Sequence, residues 1–392
     1  MSHVTLGIER LLGEKRPLIA GRRVGLVAHP ASVDRRLAHT FDLLVAAGAD
    51  VRVLFGPEHG FAGEAQDMEP VGGEIRGPGG LPLVSLYGAT EATLSPTAAH
   101  LADLDALVID LADVGARYYT FVWTAVLCLR ACHRAGIDAI VLDRPNPLGG
   151  EAIEGAPQRD AFLSFVGLLP VPNRHGMTIG EIARLAARRE GTADALTVVE
   201  MRGWRRGMTF DELGAPWVMP SPNMPTADTA LVYPGSCLIE ATWASEGRGT
   251  TRPFELVGAP GIAAAELARR LDAERLPGVR FRPASFRPTF HKHAGRSCGG
   301  VQIHVTDRRA FLPYRTGVAL LVALRAAAGG AFAWRRDAYE FVTDVPAIDL
   351  LAGGDEIRRG VESGASTAEL AAAWADGERR FAEARREFQF YE

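Results

Sequence analysis

The chain reads as an α/β protein: a Rossmann-like parallel-sheet domain with a second, smaller α+β domain, and an active cleft between them. Three observations predict this. Over the first 150 residues, short apolar runs alternate with segments of helical period, the pattern of a parallel sheet covered by helices. The runs are continuously apolar and do not alternate with a period of two, as expected for strands covered on both faces. Beyond about residue 260 the order changes to helix, two strands and two helices. A length of 392 residues suits more than one domain. The units are expected at 1–260, including Pro/Gly-rich active-site loops, and at 261–392.

In order, residues 24–28 form the first expected strand, stopped by His29-Pro30, and a helical pattern covers 36–47. The second strand, 51–55, ends at Gly56-Pro57. Strand patterns recur at 83–86, 106–110 and 139–143, with a helix over 121–135. Thr178 and Glu181 are spaced as a capping box at the start of a helix that runs to 189. Residues 217–260 are rich in Pro, Gly, Ser and Thr without periodicity. They are expected as a long ordered loop, a kind of segment that usually carries function. A helix at 263–273, strands at 279–281 and 301–305, and helices at 314–327 and 367–386 complete the chain.

Hydrophobic residues make up 47% and charged residues 23%, an ordinary globular balance. The formal net charge is −4 and no block of like charge is sustained, which excludes nucleic acid and an anionic membrane as expected partners. Apolar runs such as 317–324 are too short to span a bilayer. Four cysteines read as buried thiols, and the N-terminus shows no signal-peptide pattern. Together these give a cytoplasmic expectation, unless an export signal has been removed. No Gly-x-Gly-x-x-Gly follows the first strand and no P-loop occurs, so no cofactor is expected. Spacings of metal ligands are missing too, and His291 and His293 lie away from the strand ends, so no metal is expected. No Gly-x-Ser-x-Gly elbow is present.

Parallel strands end on one side of a sheet, and open α/β sheets take ligands there. Three strand ends carry polar clusters: Glu58-His59 leading to Glu64 and Asp67; Asp110, Asp113, Arg117, Tyr118 and Tyr119; and Asp143, Arg144 and Asn146, followed by Glu151 and Glu154. A lone Asp in such a place equally well caps a loop or helix. Two distant segments are expected to close the site. Arg174-His175 precedes a helix N-terminus, where backbone N–H groups favour anions. The run 245–255, with Glu246, Arg248 and Thr250, holds glycines that let backbone approach a ligand. Asn223 sits in a rigid Ser-Pro-Asn-Met-Pro loop.

The runs Gly-Pro-Glu-His-Gly (56–60), Asp-Val-Gly-Ala-Arg-Tyr-Tyr-Thr (113–120), Leu-Asp-Arg-Pro-Asn-Pro (142–147), Arg-His-Gly-Met-Thr-Ile-Gly-Glu (174–181), Pro-Ser-Pro-Asn-Met-Pro (220–225) and Ser-Glu-Gly-Arg-Gly-Thr-Thr (245–251) occur in this order. In them the chain resembles the NamZ-type exo-β-N-acetylmuramidases, glycoside hydrolases that trim peptidoglycan fragments. The resemblance covers nearly the whole length. It implies release of N-acetylmuramic acid from non-reducing ends, and Glu58 falls on the family's glutamate. Two positions depart from the family pattern: Ala112 where a Gln is usual, and Asn173 where an aliphatic residue is usual. Many relatives carry an export signal that this chain does not show.

Glycoside hydrolysis usually uses two carboxyl groups. Glu58 is assigned to acid/base work; Glu154 and Glu246 are the expected partners, with Asp113 and Glu181 behind them. Arg117, Arg144, Arg174 and Arg248 are candidates to grip the lactyl carboxylate of the sugar. His59, Asp113, Tyr118, Asn146, His175, Asn223 and Thr250 complete the expected substrate contacts. The expected partner is a small-molecule or oligosaccharide substrate. Two alternatives stand beside this reading: a non-catalytic amino-sugar-binding protein, and a glycosidase of the same family acting on another amino-sugar glycoside.

Overall fold

The computed structural model describes residues 4–66, 68–71 and 75–392. Among the described residues, ten strands fall in two sheets. The larger has the order β3-β4-β2-β1-β5-β6-β7. Its strands are β1 (Arg23–Ala28), β2 (Asp50–Gly56), β3 (Ile75–Arg76), β4 (Pro82–Ser85), β5 (Ala106–Asp110), β6 (Asp138–Leu142) and β7 (Leu196–Val199). All pair in parallel except β3, which runs antiparallel on β4 at the edge. The strand order reverses at β1, with β2 on one side and β5 on the other, the place where such sheets open a crevice.

The apolar runs supply both faces. Val27, Leu107, Ile109, Ala139 and Val141 point into a core shared with α4 (Phe121–Ala135) and α5 (Ile179–Glu190). Their chain neighbours Leu26, Ala28, Val108, Ile140 and Leu142 point into a second core with α1 (Gly7–Leu12) and α2 (Thr40–Ala46). Side chains alternate across a strand, so only a continuous apolar run can fill two cores. A short helix, α3 (Ala98–Leu101), leads into β5.

The second sheet has the order β8-β10-β9 and is antiparallel: β8 (Leu256–Ala259), β9 (Val279–Phe286) and β10 (Cys298–Val305). Strand β8 precedes residue 261 and yet pairs in this sheet. Helices α6 (Ala227–Ser236), α7 (Ala264–Ala273), α8 (Pro313–Ala328), α9 (Ala347–Ala352), α10 (Glu356–Ser363) and α11 (Thr367–Ala384) surround it. No helix among the described residues is long and apolar enough to cross a membrane.

Three elements differ from the sequence reading. The helix expected from residue 36 starts at Thr40, because the Asp34 carboxylate accepts the N–H groups of Arg36 and Ala38 in a turn and Leu37 has φ of 67°. The segment 217–260 is not one loop: it contains α6 and β8. Proline stands inside α6, and Gly235 meets α8 so closely that an added Cβ would lie 1.9 Å from the Pro313 carbonyl oxygen. Those residues serve helix packing, not a turn. Strands β9 and β10 run longer than expected because they pair over eight residues, with Pro283 facing Val301. The Thr178–Glu181 capping box is present as read.

Candidate active site

Strand β2 ends in a turn that folds the chain back on itself. A Cβ on Gly56 would sit 2.3 Å from the Phe61 backbone nitrogen, so only glycine permits this return. The turn is closed by Gly60 N–H donating to the Pro57 carbonyl (2.9 Å), and His59 has φ of 68°. Glu58, 5% exposed, is thereby pressed toward the start of α4. There the Thr120 hydroxyl donates to Glu58 Oε2 at 2.5 Å. His59 Nδ1 donates to the Ala65 carbonyl at 2.9 Å, which fixes the ring.

Glu58 and His59 line a polar recess of about 430 Å³. Tyr118, Tyr119 and Thr120 come from the loop after β5, and Ser221 and Asn223 from the loop before α6. Tyr233, Glu240, Arg248, Phe254, Tyr339 and Glu340 come from farther along the chain, and Phe121, Val166 and Met224 complete the lining. The recess therefore joins the end of β2 to segments from α6 onward. Arg248 Nη2 donates to Glu240 Oε1 at 2.7 Å, and the Tyr339 hydroxyl donates to Glu240 Oε2 at 2.7 Å. The Tyr87 hydroxyl donates to Glu340 Oε2 at 3.0 Å, and Tyr119 to Ser221 at 3.0 Å. Asn223 Nδ2 donates to Gln66 at 2.8 Å. Burial pushes the phenols of Tyr118, Tyr119 and Tyr233 well above their ordinary range, so they stay neutral. Their rings meet edge to face, Tyr118 and Tyr119 each against Tyr233 at 5.8 and 5.5 Å.

Of the residues expected from sequence, Glu58, His59, Tyr118, Asn223 and Arg248 meet in this recess. The other expected residues do not. Glu154 is buried against Arg174 (3.0 Å) and the Arg315 N–H (3.2 Å), and burial raises its pKa. Arg174 also holds the Leu148 carbonyl, which makes it an internal brace. Glu246 is wholly buried among Lys292 (2.9 Å), His291 (3.3 Å) and Arg248 (3.4 Å). Burial opposes its charge, but the Lys292 ammonium, the His291 hydrogen bond and the Arg248 guanidinium together hold it well below the usual carboxylate range. Arg117 is fully buried and donates to the carbonyls of Val166, Leu350 and Leu351; desolvation lowers its pKa to about 10. Asn146 donates to the Met177 carbonyl (3.0 Å), and the Thr250 hydroxyl to the Gly247 carbonyl (2.6 Å). His175 has no exposed surface and faces Asp113 at 3.4 Å.

The lone-Asp alternative describes two strand ends. Asp110 forms a two-pronged ion pair with Arg144 (2.5 and 2.8 Å). Asp143 accepts from Thr178, Gly180 N–H and Tyr391, and so anchors the start of α5; burial pushes its carboxyl up to about 7. Glu181 is paired with Arg206 at 2.6 Å in addition to its capping role. Trp123 is helix core. Asp67 lies outside the described residues.

A second recess, of about 720 Å³, opens beside the ends of β1, β5 and β6. Asp113 and Arg144 line it, but most of its walls are Val, Leu, Ala, Pro, Phe210 and Trp217. It holds neither Glu58 nor a second glutamate. Ala112 lines this apolar recess, and Asn173 is buried with its amide on the Leu351 carbonyl (2.7 Å). Neither departure from the family pattern touches the Glu58 recess.

Acid/base chemistry on a glycosidic bond needs carboxyl groups that share a cavity with hydrogen-bond donors. The polar recess supplies Glu58, Glu240 and Glu340 beside Arg248. Glu240, Glu340, Tyr339 and Tyr233 were not expected from sequence, because the fold brings them in from more than a hundred residues away.

The chain is 43% identical over 391 residues to the peptidoglycan β-N-acetylmuramidase NamZ of Bacillus subtilis (strain 168), covering 99% of this chain and 91% of that one. Among solved structures it is similar to two DUF1343 family proteins from Bacteroides fragilis. One shares 31% identity with a TM-score of 0.88, the other 26% with 0.77; each match covers 100% of this chain and 99% of the other. Residues 24–228 match the N-terminal domain of exo-β-N-acetylmuramidase NamZ and residues 231–391 its C-terminal domain, so the chain belongs to the NamZ family.

Proposed function

We propose that this protein is an exo-acting glycoside hydrolase that releases N-acetylmuramic acid from the non-reducing end of peptidoglycan fragments, with Glu58 as its general acid/base. The observation that carries the reading is the Glu58 carboxyl, held by Thr120 at the edge of a recess that also contains Arg248. The name of the Bacillus subtilis relative supports the substrate class. Because Thr120 occupies Oε2, the other oxygen is the one that gives a proton to the glycosidic oxygen. Arg248 suits the lactyl carboxylate, since a guanidinium can grip carboxylate oxygens in parallel. Tyr118, Tyr119 and Tyr233 offer ring faces and edges to the pyranose. The four cysteines stand buried as thiols, which supports a cytoplasmic setting.

The test is turnover of a 4-nitrophenyl glycoside of N-acetylmuramic acid by Glu58→Gln. The variant is expected to fold normally and to lose about 10²-fold or more in kcat, the usual scale for acid/base loss. Near wild-type turnover refutes the assignment. Tight sugar binding by the wild type without any turnover would instead mark a binding protein.

A further inference from the structure

The short turn at residues 339–342 breaks a local rule. Tyr339 and Val342 exchange backbone hydrogen bonds in both directions, at 2.9 and 3.0 Å. The two residues between them, Glu340 and Phe341, have φ of 46° and 68°. Consecutive positive φ values in a two-residue connection make a type I′ turn, which takes Asn, Asp or Gly. Glu and Phe hold that conformation under strain, and strain of this kind gathers at functional sites. The strain is also concentrated in space. Among the described residues nine non-glycines have positive φ, and three of them (His59, Phe254 and Glu340) line the one polar recess.

The strained turn has a defined product. Glu340 is 4% exposed, its Oε2 accepts from Tyr87, and the residue lines the recess with Glu58. The ring of Phe341 packs against Tyr87 at 5.6 Å, so the turn and the hydroxyl that orients Glu340 are braced together. Glu240, which also lines the recess, bridges Arg248 with one oxygen and Tyr339 with the other. Glu154 and Glu246 lie in internal ion pairs away from the recess.

We propose that Glu340 is the second catalytic carboxylate, a fixed negative charge facing the anomeric carbon. The proposal rests on the Glu58 reading of the same recess. As the C1–O bond breaks, Glu58 gives its proton to the glycosidic oxygen and the leaving sugar departs as an alcohol. The positive charge that develops on the ring is stabilised by Glu340. Water then bonds to C1 and its proton returns to Glu58, which leaves the enzyme unchanged. The strained turn persists because asparagine or glycine there would lack this carboxylate.

The decisive variant is Glu340→Asn in the full chain. Asparagine tolerates positive φ, so the melting temperature is expected to stay equal or rise while kcat falls at least 100-fold. Glu340→Gln keeps the side-chain length and is expected to show the same loss; it serves if the Asn variant does not fold. Each is compared with Glu58→Gln on 4-nitrophenyl and 2,4-dinitrophenyl glycosides of N-acetylmuramic acid. The second leaving group needs no proton, so Glu58→Gln should regain most of its turnover on it, whereas the Glu340 variants should not. Wild-type kcat in both Glu340 variants, or a change confined to KM, overturns the proposal and leaves Glu58 standing if Glu58→Gln is impaired. Wild-type turnover in Glu58→Gln on both substrates fails the Glu58 reading itself.

Discussion

Replacing Lys292 by Met tests whether the long loop between β9 and β10 holds the recess-lining segment at Glu240 in place. Lys292 Nζ donates to the carbonyls of Ile239 (3.0 Å), Glu240 (3.1 Å) and Ala244 (3.0 Å), and to Glu246 Oε2 at 2.9 Å. Methionine keeps the stem and removes all four bonds. Taking one partner from a buried ion pair costs about 3–5 kcal/mol. Glu246 retains Arg248 and His291 at 3.4 and 3.3 Å, so the lower end applies, about 3 kcal/mol. An unfolding entropy of roughly 2.1 cal/mol/K per residue gives about 0.8 kcal/mol per degree for a chain of this length, hence a drop of about 4 °C in Tm. The sign with pH follows from Glu246. Its folded pKa is lowered, so its contribution is present above the unfolded carboxylate pKa and is lost as pH falls below it. The gap between wild type and variant, read by scanning calorimetry, should therefore be widest near pH 7 and should narrow below about pH 4. Equal Tm values at pH 7, or a gap that widens in acid, would refute the reasoning.

Three further outcomes are expected. Burial pushes the Glu378 carboxyl up to about 7, with Gly155 N–H donating to it at 2.9 Å. A raised folded pKa means stability is present in acid and lost as pH climbs from about 4.5 to about 7. Glu378→Gln should thus gain on the wild type at pH 8 but not at pH 4, by about 1 kcal/mol after discounting for partial exposure; equal differences in urea midpoint at the two pH values count against it. Thr120→Val removes the hydrogen bond to Glu58 and should lower kcat about 10-fold, the scale of one bond to an ionisable group, while Thr120→Ser retains activity; steady-state kinetics of the pair decide. Ala112→Gln fills part of the apolar recess and should leave both kcat and KM on the 4-nitrophenyl glycoside unchanged, since Ala112 does not line the Glu58 recess; a changed KM would join the two cavities.

The parallel sheet was legible because its signal is local: each buried strand is a short apolar run, and each ends at a residue that cannot continue it. Glu58 was legible for the same reason, since Gly56 and Pro57 mark the strand end that presents it. Glu240 and Glu340 carry no such mark. The Tyr87–Glu340 bond joins residues 253 apart in the chain, and the turn that presents Glu340 lacks the Asn-Gly that would have announced it. Within the 245–255 run, Glu246 misled in a different way. Glycines among charges suggest a ligand loop, but Glu246 answers to Lys292, a residue with no pattern of its own. Helix α6 was hidden by Pro234 and Gly235, whose purpose is visible only when α8 is laid against them. Strand β7 was missed because four residues, Leu-Thr-Val-Val, give too little periodicity to read.

Arg117 carries one more consequence. Its guanidinium has no exposed surface, and it ties the loop after β5 to the carbonyls of Leu350 and Leu351 in the last turn of α9, where a cation also suits the helix dipole. Any hinge that swung the second unit away would strand a cation in an apolar interface or flood that interface with water. The buried Arg117 bonds therefore oppose such a hinge at this point of the interface.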